Sequence, residues 1–569
     1  MWLNIHSERG AGDAGVGYFV NFAPCTKTKI YMNFNRFFAF ALSLCAALLL
    51  SFRPLGAQEI KLTVLDTARG PLIPKEIYGQ FSEHLGRCIY GGIWVGEDSP
   101  IPNISGYRKD VLEALKELRI PVLRWPGGCF ADEYHWQDGI GPRESRPRMI
   151  NSNWGGTLED NSFGTNEFLN LCELLGAEPY ISGNVGSGSV EEMAKWVEYM
   201  TAEDGTMASL RKANGREKPW RVKYLGVGNE SWGCGGNMTP EYYSDLYRRY
   251  STYCREFDGN RLYKVASGAS DYDYNWTRVL MQKAGGRMNG LSLHYYTVID
   301  WNHKGSATEF TDGEYYDVLA KSVEVEDVLQ KHCFIMDTFD PEKKVGLILD
   351  EWGTWFDVEK GTNPGHLSQQ NTMRDAMVAA LSLNIFNKHT DRLRMANIAQ
   401  VVNVLQAMVL TEGDRMVMTP TYYVFKMFRG HQDAAAIGVE YAAESLPSPS
   451  GRELPSLSAS CSLSEDGTML LTLVNPALES EEEICISFAS ETLAGGGEGV
   501  SLKAASRKAS SKAREVVSAE ILRSDNVHAH NTFDSPSVVV SAPFKGVRSK
   551  NGELRLRIPA ASIVAITVK

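Results

Sequence analysis

Positive charge is scarce in this chain. Its 58 Lys and Arg stand against 69 Asp and Glu, a formal charge of −11. That balance argues against a polyanionic partner such as nucleic acid. No two of the ten cysteines form a CxxC pair, so a zinc ribbon or dithiol redox motif has no support. No Gly-rich phosphate loop follows the first strand-like run, which leads into FSEHLG (81–86). No repeat with a period of about 20–50 residues is present. The apolar run that stands out, residues 37–50, spans 14 residues, short of the roughly 20 a membrane helix needs. What is present is a chain of 569 residues, 43% hydrophobic and 22% charged, enough to bury a large core and to exclude global disorder or a fibrous repeat. Its 12 Trp and 24 Tyr suit stacking against flat neutral ligands and suit a large core equally well.

The amino terminus reads as a targeting segment. Arg36 precedes the apolar run, and Gly56-Ala57 supplies small residues after it. A basic start, an apolar centre and a small-residue exit describe a secretory signal over 32–57. With Met32 close ahead of Arg36, residues 1–31 read as a mispredicted extension. The expected location is exported, periplasmic or extracellular, with no membrane attachment after cleavage; an uncleaved anchor is the competing reading. Beyond residue 57 eight cysteines remain, in a domain large enough that none has to pair. Cys172 lies on an apolar helix face and reads as core.

From about 73 to 429, eight β-type runs alternate with helical patterns. They cover 77–83, 120–128, 178–186, 222–230, 263–270, 290–296, 345–351 and 398–405. Between them, Val111, Leu115 and Leu118 repeat at helical spacing. So do Phe168, Leu171, Cys172 and Leu175, with Gly176 at the stop position. Eight such units over roughly 350 residues predict a (β/α)8 TIM barrel of the α/β class. After 430 the helical period fades into short alternating runs, predicting a C-terminal antiparallel β-sandwich over 430–569, jelly-roll-like, with 491–513 as a Gly/Ser/Lys-rich loop. The strand-like EIKLTVLD (59–66), within 58–72, has no helix after it and is expected to join that sandwich.

Barrel chemistry collects at the C-terminal ends of the strands. Those ends carry Glu83-His84, Arg124 to Cys129, Asn229-Glu230, His294 to Tyr296, Asp350-Glu351-Trp352, and Gln400. Carboxylates at the ends of the fourth and seventh runs would face each other across the mouth. Acetal hydrolysis needs such a pair, one member holding a proton for the leaving oxygen and the other ionised. Trp352 and Trp355 are expected to wall the site and exclude water. Asp350 competes with Glu351, because neighbours on a strand point to opposite faces and only one should enter the mouth. Asn166-Glu167 opens a helix and reads as structural. Neither His84 nor His294 belongs to an HxH or HxxxH cluster, so sugar contact or supporting hydrogen bonds fit them better than metal ligation.

Five stretches in order, YGQFSEHLGRCIYGGIW, RWPGGCFADEYHWQDGIGP, LGVGNESWGCGGNMTPEYY, LDEWGTWF and NIAQVVNVLQAM, resemble glycoside hydrolase family 51, the α-L-arabinofuranosidases. The resemblance runs from about 59 to the end and takes in the tail HAHNTFDSPSVV (528–539). It implies a retaining, exo-acting enzyme that removes terminal α-L-arabinofuranosyl units from arabinan or arabinoxylan without metal or organic cofactor. It implies Glu230 as general acid/base and Glu351, over Asp350, as nucleophile. Glu83, Asn229, Tyr296, Gln400 and Trp154 are implied as sugar-contacting or positioning residues, and Trp355 stands with them. Cys129 occupies a place where relatives carry Asn, so one amide contact to the sugar is lost or replaced. Family members often form oligomers, which makes a homo-oligomer the expectation. The rival readings are the same fold acting on a β-xyloside or β-glucan, and a non-catalytic glycan-binding protein; the second has no need of both carboxylates.

Overall fold

A computed structural model of the chain describes residues 59–489 and 514–569. The expected extension 1–31, the signal 32–57 and the loop 491–513 lie outside the described residues. Eight strands close into a barrel: Gly79–Phe81, Val122–Trp125, Glu178–Gly183, Tyr224–Val227, Tyr263–Ser270, Gly290–Thr297, Gly346–Thr354 and Leu393–Ala399. Every neighbouring pair is parallel. Val122, Tyr180, Tyr224, Val265, Ile348 and Met395 form one buried cluster contributed by six of these strands, so the barrel is a packed core and not a pore.

The intervening helices follow the sequence spacing. Lys109–Leu118 buries Val111, Leu115 and Leu118. Thr165–Leu175 buries Phe168, Leu171, Cys172 and Leu175 and ends at Gly176, whose φ of +70° is the left-handed stop a glycine adopts without steric cost. Glu167 accepts a hydrogen bond from the Gly164 amide at 2.9 Å and so caps the start of that helix.

The eighth strand departs from expectation. It covers Leu393–Ala399, not 398–405. Val401, Val402 and Val404 are fully buried because that segment folds back under the neighbouring loops: the Val401 amide donates to the Phe81 carbonyl and the Gln400 amide to the Val404 carbonyl. Its apolar character reflects burial, which periodicity alone cannot tell from strand.

Ten further strands form one sheet, and short two-stranded ribbons account for the rest of the described strands. Ile60–Leu72 sits inside that sheet, antiparallel to Ala435–Glu440 and parallel to Glu482–Ala489. That parallel pairing corrects the all-antiparallel expectation: the whole barrel separates the two strands in sequence, so no hairpin joins them. Leu62, Ile437, Leu471, Ile484, Leu556 and Ile566, drawn from strands across the sheet, share one buried core, so the sheet folds upon itself as a sandwich does. Helix Met373–Phe386 is buried on all sides. The Asn384 side chain at its end bonds Ser458 and Thr472 of the sheet, and next to it Asn387 links Tyr78 of the barrel to Ser460 of the sheet. No described helix is long and apolar enough to cross a membrane.

Candidate active site

The mouth of the barrel is organised by one buried arginine. Arg124, in the second barrel strand, donates to Glu351 Oε1 at 2.8 Å, to Asn229 Oδ1 at 2.6 Å and to Ser182 Oγ at 3.1 Å. It also lies 3.7 Å from Asp350. Burial works against its charge, but Asp350 and Glu351 outweigh burial and raise its pKa. A guanidinium in a strand between apolar residues is costly unless paired; here three strand ends pair with it. The lone Arg inside IPVLRWPGG was the available sequence signal.

Asp350 and Glu351 both face the interior, contrary to the expectation that only one would. Asp350 accepts from Tyr180 at 2.6 Å and from Ser292, and lies 3.3 Å from His294 Nε2. Glu351 accepts from Tyr296 at 2.7 Å besides Arg124. Strict alternation fails because the seventh strand's register slips against its neighbours here, between Leu349 and Trp352 on one side and opposite Ser292–His294 on the other. The two carboxylates still differ. Burial would raise Asp350, but Arg124 and the bonds from His294 and Ser292 prevail and bring it down to about 2.

His294 ties the acids together. Its Nδ1 is 2.8 Å from Glu230 Oε1 and 3.5 Å from Glu351 Oε2. Burial would lower its pKa, yet the surrounding Glu351, Asp350 and Glu230 push it up to about 10, so both ring nitrogens carry protons and donate. An oxygen of Glu230 and an oxygen of Glu351 lie within 4.8 Å of each other around this ring. Burial, and then the charge of Glu351, raise the pKa of Glu230 against the opposing pull of His294. Since Oε1 accepts from His294, a proton on Glu230 resides on Oε2. Glu230 lies just past the fourth strand, after Gly228 and Asn229, with a backbone φ of +38°, a left-handed conformation uncommon outside glycine and found at constrained sites.

The other predicted residues gather here too. Glu83 accepts from Trp154 Nε1 at 2.9 Å, the Phe130 amide at 3.1 Å and Gln400 Nε2 at 3.0 Å. Burial, helped by Glu351, still raises it to about 7. Gln400 Oε1 is buried without a partner. Trp355 packs edge-on against Tyr296, ring centres 5.1 Å apart, and the half-exposed Trp301 packs against Trp355 at 5.5 Å. The bare backbone at Gly127-Gly128 passes between carboxylates: a Cβ on Gly128 would stand 3.0 Å from Glu351 Oε1, and one on Gly127 2.8 Å from Glu83 Oε1.

One expected wall residue stands elsewhere. Trp352 walls nothing; it packs against Phe386 and Phe425 in the core. His84 is buried against Phe130, accepts from Trp125 Nε1 and lies 3.5 Å from Glu159, supporting the site from below. Sequence reasoning missed Asp132, whose carboxylate gathers the amides of Val185, Gly186 and Asn229 and is raised to about 7 by burial. It also missed that Cys129 forms a disulfide with Cys234. The Sγ of Cys234 is 3.5 Å and that of Cys129 3.9 Å from Glu230 Oε2, contacts without a proton since the sulfurs are bonded to each other. The other described cysteines, Cys172 among them, are free.

Comparison with known proteins agrees with this geometry. The α-L-arabinofuranosidase 1 domain matches residues 114–309 and the α-L-arabinofuranosidase C-terminal domain residues 350–562. An intracellular exo-α-L-arabinofuranosidase of Bacteroides ovatus is 58% identical over 518 residues, 90% of this chain and 97% of the relative. Among solved structures, the family 51 arabinofuranosidase of Xanthomonas axonopodis pv. citri is 43% identical with a TM-score of 0.84, covering 90% of this chain and all of that one. The α-L-arabinofuranosidase of Thermotoga maritima, solved as an arabinose complex, is 30% identical with a TM-score of 0.76, covering 90% and 99%. The Bacteroides relative overturns one expectation. A protein this similar, matched along nearly its whole length, is named intracellular, so the reading of 32–57 as a secretory signal and the exported location drawn from it are contradicted. With both family domains in place, and with that identity and coverage, the chain belongs to glycoside hydrolase family 51, the α-L-arabinofuranosidases.

Proposed function

We propose that the protein is a retaining, exo-acting α-L-arabinofuranosidase that hydrolyses terminal non-reducing α-L-arabinofuranosyl residues of arabinan- or arabinoxylan-type glycans by double displacement. The observation that carries the mechanism is the closeness of Glu230 and Glu351, with oxygens within 4.8 Å around His294. Carboxyl groups about 5–5.5 Å apart leave no room for a water and force covalent attack, whereas inverting pairs stand about 6.5–9.5 Å apart.

Glu351 attacks the anomeric carbon. Arg124 and Tyr296 hold it by hydrogen bonds and aim it. Glu230 delivers the proton on Oε2 to the departing oxygen. Once Glu351 is an ester its charge is gone, one of the influences holding Glu230's pKa up disappears, and Glu230 takes a proton from water. Water then releases the sugar. Glu83 and Gln400, with the free Gln400 Oε1, serve as partners for arabinose hydroxyls, and Asn229 holds the geometry beside the acid. Trp154 and Trp355 flank the sugar, and Cys129 meets it through the bridge to Cys234. Assembly as a homo-oligomer belongs to the same reading, and light scattering tests it.

The test compares release from aryl α-L-arabinofuranoside, aryl β-xyloside and β-glucan. Release from the first is expected; preference for either of the others would assign the same chemistry to another sugar, and no release at all would make the protein a binder. Glu351→Ala should abolish turnover and recover part of it with azide, giving the inverted glycosyl azide. Glu230→Ala should damage substrates with poor leaving groups far more than aryl glycosides.

A further inference from the structure

We propose that a dithiol opens the Cys129–Cys234 bridge, and that the two freed sulfurs, together with Glu230 Oε2, then bind a thiophilic divalent cation that silences the enzyme. The bridge joins the loops after the second and fourth barrel strands, and Cys234 is exposed, so a small reductant reaches it. Opening is ordinary exchange. A thiolate of the dithiol attacks one sulfur and its second thiol displaces the mixed disulfide. Two electrons pass to the bridge, the reductant leaves as a cyclic disulfide, and Cys129 and Cys234 become thiols. A divalent cation then replaces both thiol protons, which go to solvent.

The geometry for that cation is already largely built. Zinc takes sulfur at about 2.3 Å and carboxylate oxygen at about 2.0–2.2 Å in a tetrahedron, so each sulfur should stand about 3.6 Å from the oxygen and the sulfurs about 3.8 Å apart. The observed sulfur–oxygen distances of 3.5 and 3.9 Å bracket the first value. Only the sulfurs need to separate, by side-chain rotation, and the Cα atoms are 5.5 Å apart. The other oxygen of Glu230 is engaged by His294, which leaves Oε2 turned to the sulfurs. Two thiolates and one carboxylate leave a fourth position for water and favour zinc or cadmium over hard cations such as magnesium.

The binding site stands on this geometry alone; its effect on turnover rests on Oε2 being the oxygen that carries the catalytic proton. The test uses the full-length enzyme, reduced with excess dithiothreitol, desalted without oxygen and titrated with cadmium as the probe. Cadmium–thiolate absorption in the ultraviolet and hydrolysis of an aryl arabinofuranoside are followed together. The expected result is absorption that rises to one cadmium per chain above that of Cys234→Ser treated identically. Activity should fall at least tenfold over the same range relative to the reduced, metal-free enzyme, and EDTA should reverse both. The unreduced enzyme should show neither change. Glu230→Gln should keep the absorption but bind cadmium at least tenfold more weakly. Absorption no stronger than in Cys234→Ser, activity unmoved at saturation, or unchanged affinity in Glu230→Gln would each overturn the proposal. Hydrolysis by the untreated enzyme, measured first, tests the functional reading separately; the absorption and the Glu230→Gln comparison are read whatever its outcome.

Discussion

Arg124 is the residue on which the site depends most. It holds Glu351, Asn229 and Asp350 at once in a place with almost no solvent. Replacing it with Met leaves two buried carboxylates with His294 as their remaining cation, and breaking a buried pair costs about 3–5 kcal/mol. Arg124→Met should therefore lower the melting temperature in calorimetry and reduce kcat at least a hundredfold; a variant with native melting and kcat would show that the carboxylates find another counterion. His294 gives a pH signature. Its folded pKa, about 10, lies above the ordinary histidine value near 6.5, so the stability it contributes is complete below about 6.5 and is lost as pH rises through about 10. The stability gap between wild type and His294→Gln, followed by denaturant unfolding, should be widest below that window and shrink across it. Glu230, raised by burial, should set the alkaline limb of kcat/KM, and that limb should vanish in Glu230→Ala assayed on an aryl substrate.

At the scale of elements, the strand ends were legible and their exact facing was not. Glu83, Glu230, Glu351, Tyr296 and Gln400 sit where runs of β-type residues give way to polar ones, and the barrel rule places such ends at one mouth. The same reading erred wherever alternation broke. A register slip in Gly346–Thr354 turns Asp350 and Glu351 both inward, while Trp352 goes to the outer core. Buried loop and buried strand look alike in sequence, which displaced the eighth strand. The Cys129–Cys234 bridge spans 105 residues and two loops, a pairing no local pattern encodes. Gly128 illustrates an element defined by what it lacks. Gly128→Ala should cut activity sharply, because its methyl group must displace Glu351, while thermal unfolding changes little. Leu62→Ala, in the first sheet strand, should do the reverse: about 2–5 kcal/mol less stability for a fully buried leucine, with KM unchanged.

For the molecule as a whole, helix Met373–Phe386 packs between barrel and sheet with no exposed face, and its end is hydrogen-bonded to both. Neither part can shed the other without exposing that helix. Heating should give one calorimetric transition, and two resolved transitions would mean the parts hold themselves up separately. The central claim is that Glu230 and Glu351, brought together by His294 and Arg124, carry out two successive displacements at one carbon. Its most direct measurement is proton NMR of the first product formed when the enzyme transfers arabinose from an aryl α-L-arabinofuranoside to methanol. The account predicts methyl α-L-arabinofuranoside, the configuration retained. Methyl β-L-arabinofuranoside as the first product would mean a single displacement and would contradict it.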